Sequence, residues 1–160
     1  PFGRNLTGVA QQVLGGWQIN AVATWQTGVP FNITNATARV NTGGGDRPNL
    51  VGEAVLDEPA YTLWFNTTAF AAQPINTIGD SVVPRNFLHG PSQRRLDLSL
   101  FKDVTLPRGA RLQLRVEAYN VTNAVNFANP NGALGNAAFG TITGTNGTPR
   151  QMQFAAKLLF

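Results

Sequence analysis

The stretch Arg95-Leu96-Asp97-Leu98-Ser99-Leu100-Phe101-Lys102-Asp103-Val104 decides the fold, together with the run from Ala110 to Thr122. Leu96, Leu98 and Leu100 fall on one face of a period-2 chain, and Arg95, Asp97, Ser99 and Asp103 on the other. Thr105-Leu106-Pro107-Arg108-Gly109 breaks the run. From Ala110 to Thr122 the pattern resumes, with Leu112, Leu114, Val116 and Ala118 against Arg111, Gln113, Arg115, Glu117 and Tyr119. Successive side chains of a strand point to opposite sheet faces. The two runs therefore predict a hairpin, strands 95–104 and 110–122, with one apolar and one charged face. Only registers with an even index sum keep both apolar faces on one side. Placing Asp97 opposite Glu117 would set like charges against each other. The expected register puts Arg95 opposite Glu117 and Asp97 opposite Arg115, a cross-strand charge ladder.

The same alternation extends outward. Trp17, Ile19, Ala21, Ala23 and Trp25 share one face of a strand over 17–27, between Gly15-Gly16 and Gly28-Val29-Pro30. Met152, Phe154, Ala156, Leu158 and Phe160 share one face of a strand over 150–160. A short strand over 139–145 precedes Asn146-Gly147, a two-residue hairpin signal because both residues tolerate positive φ. A partner strand over 6–14 is expected from a weaker alternation. Between about 35 and 90 no period is sustained, and Gly43-Gly44-Gly45 and Pro48, Pro59, Pro74 and Pro84 punctuate the stretch. That is long for a loop. Its apolar residues, among them Trp64, Phe65, Phe70 and Phe87, imply that part of it folds against something. The fold class is all-β, antiparallel hairpins with one long irregular loop, in a single unit over 1–160.

Composition bounds the function. In 160 residues, charged side chains make up 12% and hydrophobic ones 42%, with Gly 17, Pro 10 and Cys 0. The chain is a poor helix former, since Gly, Asn and Thr disfavour helix interiors. Without cysteine, disulfide frameworks and thiolate metal sites are excluded. No apolar run reaches the roughly 18 residues of a membrane helix. Lys+Arg 12 against Asp+Glu 8 gives a formal charge of +4, spread thinly, so no nucleic-acid partner is expected. Pro1 is not an initiator Met, so the chain reads as a processed product or as a piece of something larger.

Catalytic readings are weak, and no enzyme, metal or cofactor is expected. His89 is the one histidine and lies in a loop; Ser81, Ser92 and Ser99 stand in no nucleophile frame. Gly43-Gly44-Gly45-Asp46 lacks the lysine and helix of a phosphate loop. Asp97, Asp103 and Glu117 alternate with arginines on one face, which suits charge pairing better than acid/base work. Asn-x-Thr recurs at Asn5, Asn32, Asn35, Asn66, Asn120 and Asn146. It is read either as glycan acceptors of a secreted chain or as turn chemistry.

Strands of about 9–11 residues with one apolar face fit a membrane barrel, and a soluble β-sandwich alternates as well. Longer motifs favour the barrel. They are Gly15-Gly16-Trp17-Gln18-Ile19-Asn20 leading to Thr27-Gly28-Val29-Pro30-Phe31, then Asp46-Arg47-Pro48-Asn49-Leu50-Val51-Gly52, then Trp64-Phe65-Asn66-Thr67-Thr68-Ala69-Phe70. Leu96-Asp97-Leu98-Ser99-Leu100-Phe101-Lys102, Glu117-Ala118-Tyr119-Asn120-Val121-Thr122-Asn123 and Pro149-Arg150-Gln151-Met152-Gln153-Phe154 continue them. With these motifs the chain resembles the C-terminal end of TonB-dependent outer-membrane receptors of the Oar-like group, which carry a carboxypeptidase-regulatory-like domain. The resemblance implies the last strands of a plugged barrel of about 22 strands in the bacterial outer membrane. Its partners would be the lipid bilayer and the remainder of a larger receptor. Met152, Phe154, Ala156, Leu158 and Phe160 would then be an assembly signal. Six strands do not close such a barrel. One alternative is a processed fragment whose open edges add further copies of the chain into an extracellular fibre or tube. A soluble β-sandwich binding module is the other.

Overall fold

The computed structural model describes residues 7–40, 46–79 and 85–160. Asn5, Ser81, Pro84 and the Gly43 to Gly45 tract lie outside the described residues. The elements are α1 (Gly8–Leu14), β1 (Trp17–Gln26), β2 (Pro30–Phe31), β3 (Thr34–Asn35), β4 (Asn49–Leu50), β5 (Phe70–Ala71) and β6 (Leu88–His89). They continue with β7 (Gln93–Thr105), β8 (Arg111–Tyr119), β9 (Ala133–Leu134) and β10 (Gln151–Leu159). The fold is all-β with one short helix. The chain divides into two compact units where one was expected: residues 1–25, 94–125 and 147–160, and residues 26–93 and 126–146.

The first unit is a four-stranded sheet in the order β1-β7-β8-β10. The hairpin β7–β8 and its strand faces agree with the sequence pattern, but the register does not. Ser99, not Arg95, stands opposite Glu117, and Phe101, not Asp97, stands opposite Arg115. The hairpin has slid four residues from the expected pairing, so the parity rule holds and the charge ladder does not. The turn is the cause. The expected register would centre it on Leu106 and leave Gly109 in the ladder instead of in the tip. The chain instead turns over Leu106 to Ala110, closed by Leu106 N–H to Ala110 O at 2.8 Å. Arg108 and Gly109 carry the positive φ of 65° and 82° that this tip needs.

Residues 8–14 are helical, where a strand was expected. Ala10-Gln11-Gln12 favours helix, and the weak alternation gave no sheet face to set against it. Gly15 closes α1, its N–H bonding the carbonyl of Gln11 at 2.8 Å.

The second unit holds the long stretch that lacked a period. It is not simply an irregular loop. Phe65, Ile33, Ala54, Ala69, Phe70 and Leu88 form a buried core, with Phe31, Leu50, Trp64, Phe87, Leu134 and Phe139 packed against it. Phe65, only 1% exposed, centres an aromatic cluster: Phe139 at 5.1 Å and Phe70 at 5.7 Å edge-on, Phe31 at 5.8 Å tilted. Residues 126–146 complete this unit. β9 pairs in parallel with β3, Trp64 N–H bonds Gly140 O, and Ile142 N–H bonds Tyr61 O. These cross-links are why 139–145 forms no strand. Its backbone groups are spent on other loops, and Gly140 takes a φ of 81°. Asn146-Gly147 accordingly does not turn a hairpin between 139–145 and 150–160; β10 pairs with β8 instead.

β2 and β6 meet where two glycines allow it. A Cβ on Gly28 would lie 1.7 Å from the carbonyl oxygen of Gly90. Gly28→Ala is therefore expected to push these backbones apart and cost the second unit about 1–3 kcal/mol. The check is the urea midpoint, compared with Gly52→Ala, where the added methyl meets nothing closer than 3.7 Å.

Candidate functional site

The sheet itself is the candidate site. Register extends the alternation of single strands into rows across the sheet. On one face Leu98, Ala118 and Met152 are aligned, then Leu100, Val116 and Phe154, then Lys102, Leu114 and Ala156, then Val104, Leu112 and Leu158. Trp17 belongs to this face, because the Lys102 ammonium lies 5.0 Å from the centre of its ring. Ile19, Ala21, Ala23 and Trp25 join it by period. The other face aligns Ser99, Glu117 and Gln153, and Asp103, Gln113 and Lys157.

Among the described residues of this unit no second layer lies over the apolar face, and only Lys102 and Ala118 on it are buried. Every residue of β1 and of β10 is exposed, with Trp25 at 84% and Phe154 at 71%. A sandwich would bury alternate residues of each strand against a second sheet. Among the described residues of this unit there is no second sheet. At about 3.4 Å per residue, Trp17 and Trp25 lie about 27 Å apart along β1. A barrel tilt of about 40° reduces that to about 20 Å of height, near the apolar band of outer-membrane barrels and its two aromatic girdles.

Connections sort by end. The long stretches 27–92 and 120–150 join strands at one end of the sheet; the short link 106–110 joins β7 to β8 at the other. Outer-membrane barrels divide their long outer loops and short periplasmic turns in this way.

The ion pair is held within one strand instead of across two. Arg95 Nε donates to both carboxylate oxygens of Asp97, at 2.8 and 2.9 Å, two residues along the same face. Asp97 Oδ1 also accepts from the backbone N–H of Asn120 at 2.7 Å, fixing the turn that ends β8. Arg115 makes no pair with Asp97; it bonds Gln113 and lies 5.0 Å over Phe101. Asp103 accepts from Gln113 at 2.9 Å. Glu117 stands in a row with Ser99 and Gln153.

Of the Asn-x-Thr positions, Asn66 and Asn120 serve turns, and Asn32 and Asn35 tie segments remote in sequence. Asn120, 3% exposed, donates to the carbonyls of Ala124 and Thr148 and accepts from Ala124 N–H. Asn66 caps a 3-10 turn through Thr68 and donates to Glu53 O. Asn35 donates to Gln73, and Asn32 accepts from Asn86 N–H. Asn146 is exposed. His89 is part of β6, and its carbonyl accepts from the Trp64 indole at 2.8 Å. Asp46 accepts from the backbone N–H of Arg39 and of Val40 through its carboxylate. Among the described residues no cluster of His, Cys, Asp and Glu could hold a metal.

One side chain departs from what alternation alone suggests. Lys102 sits on the apolar face yet is buried, donating to the carbonyls of Val13 and Gly15 at the C-terminal end of α1. The signal was present: Phe101-Lys102 inverts the alternation, placing an aromatic ring among the charges and an ammonium among the leucines. Lys102→Met is expected to release α1, since a hydrogen bond from a charged donor contributes about 1.5–3 kcal/mol. Amide exchange in α1 should quicken by about ten- to a hundredfold, with β8 unchanged.

A family model described as an outer membrane beta barrel domain matches residues 1–153. The chain belongs to that family. No curated protein and no solved structure matches it. Membership of the outer membrane beta barrel domain family points to the bacterial outer membrane.

Proposed function

We propose that the chain supplies lipid-facing strands and outer loops to a TonB-dependent, Oar-like receptor, and that its role is transport and structure without catalysis. The uncovered apolar face is the observation that carries this reading. One side of the sheet suits lipid and the other suits a polar lumen. The sequence motifs support the finer assignment, and with it Met152, Phe154, Ala156, Leu158 and Phe160 as the signal by which the barrel is assembled. The partners are then the bilayer and the remaining strands of the receptor.

Photo-crosslinking of TonB in intact cell envelopes tests the receptor assignment. An adduct between TonB and the protein carrying this chain is expected. Its absence, with that protein still in the outer-membrane fraction, overturns TonB dependence and leaves the barrel. A second reading has its own support in the exposed outer strands β1 and β10, which could add further copies edge to edge. Filaments in detergent-free buffer would favour it over the receptor.

A further inference from the structure

We infer that α1 is an interfacial helix, with its apolar stripe lying in the lipid headgroup–acyl boundary at the short-turn end of the sheet. This rests on the apolar sheet face being the lipid face. At 100° per residue, Val9, Ala10, Val13 and Leu14 form one stripe of α1, and Gln11 and Gln12 occupy the opposite side. An amphipathic helix of a soluble domain turns such a stripe into a core. Here α1 has no buried residue: Val9 is 79% exposed, Val13 58% and Leu14 60%.

The helix is nevertheless fixed in place. Trp17 Nε1 donates to Val13 O at 2.9 Å, Lys102 Nζ reaches the carbonyls of Val13 and Gly15, and Gln12 Nε2 donates to Thr105 O at 3.1 Å. Two of these three anchors, Trp17 and Lys102, stand on the apolar face. Gln11 and Gln12 instead line an open groove with Asp103 and Arg111 of the polar face, and Val9, at the edge of the stripe next to Gln12, borders it. The polar side of α1 thus sides with the lumen residues, and its apolar stripe continues the lipid-facing surface past Trp17. The same arrangement accounts for a lysine on a lipid face. An ammonium there is costly unless its protons are taken up, and the carbonyls that close α1 take them.

The occupant is therefore phospholipid of the leaflet at the short-turn end, and the depth of such helices is about 5–10 Å below the headgroups. The chain has no cysteine, so single cysteines can be introduced cleanly. Spin labels at Val9→Cys, Val13→Cys, Leu14→Cys and Gln12→Cys are read in the full chain, reconstituted in vesicles of phosphatidylethanolamine and phosphatidylglycerol. Ala21→Cys on β1 reports whether the sheet itself is inserted. Labels on the stripe should be relaxed by oxygen and shielded from aqueous nickel chelate, and the Gln12 label the reverse. A lipid-exposed Ala21 label with all four helix labels open to nickel overturns the inference alone. Stripe labels shielded from both reagents overturn it too, because α1 would then pack on protein. An aqueous Ala21 label overturns both the inference and the barrel reading beneath it.

Discussion

Phe154→Arg is expected to lower the stability of the membrane-embedded sheet by about 2–4 kcal/mol, the cost of an arginine near the midplane on the lipid face of a barrel. Phe154 stands in the row of Leu100 and Val116, midway along the strands, and is 71% exposed. Its aligned neighbours, Leu100 and Val116, have no side-chain group to accept the guanidinium. Gln153→Arg, one residue earlier, places the same charge on the other face beside Glu117 and should change stability little. Urea titration of both variants in lipid vesicles measures the difference. Equal losses would mean that the two faces see the same medium, and the lipid assignment of the apolar face would fail.

The second large effect belongs to the loop unit. Phe65→Ala should cost about 3–5 kcal/mol, as expected for an aromatic truncation that leaves a cavity. Phe65 is 1% exposed and touches the rings of Phe31, Phe70 and Phe139. Its neighbours come from both long connections, so the space cannot be filled by moving one of them. If cleavage tracks opening, trypsin should cut after Arg39 in the variant faster by two to three orders of magnitude, roughly. Cleavage after Lys157 in the sheet is the control. An unchanged rate at Arg39 would show that the aromatic cluster does not hold the connections together.

Both effects depend on features of different legibility. The strands over 17–26, 93–105, 111–119 and 151–159 could be read directly. A sheet with one apolar face leaves a period-2 trace, which needs no partner to be visible. The hairpin register was legible only to its parity. Alternation fixes which face a residue occupies, whereas the choice among even registers lies with the turn, and Pro107 to Gly109 sets it through backbone geometry. The loop unit left almost no trace, because its core is assembled from single residues far apart in sequence. Phe65 and Phe139 meet without either lying in a periodic segment. The helix over 8–14 failed to show for a related reason. Seven residues are too few for a period, and α1 is held by Trp17, Lys102 and Gln12 side chains.

What the sequence by itself determined is which face of the sheet each side chain takes. Leucines, tryptophans and phenylalanines on every second position, with arginines and aspartates between them, state that one face avoids water and the other keeps its charges. Local chemistry and strand geometry alone dictate this. The tertiary structure decided how the charges are paired, where Lys102 sends its protons, and that two long connections share one aromatic core. Those depend on distances between residues remote in the chain, which turn geometry and packing set and local pattern cannot carry.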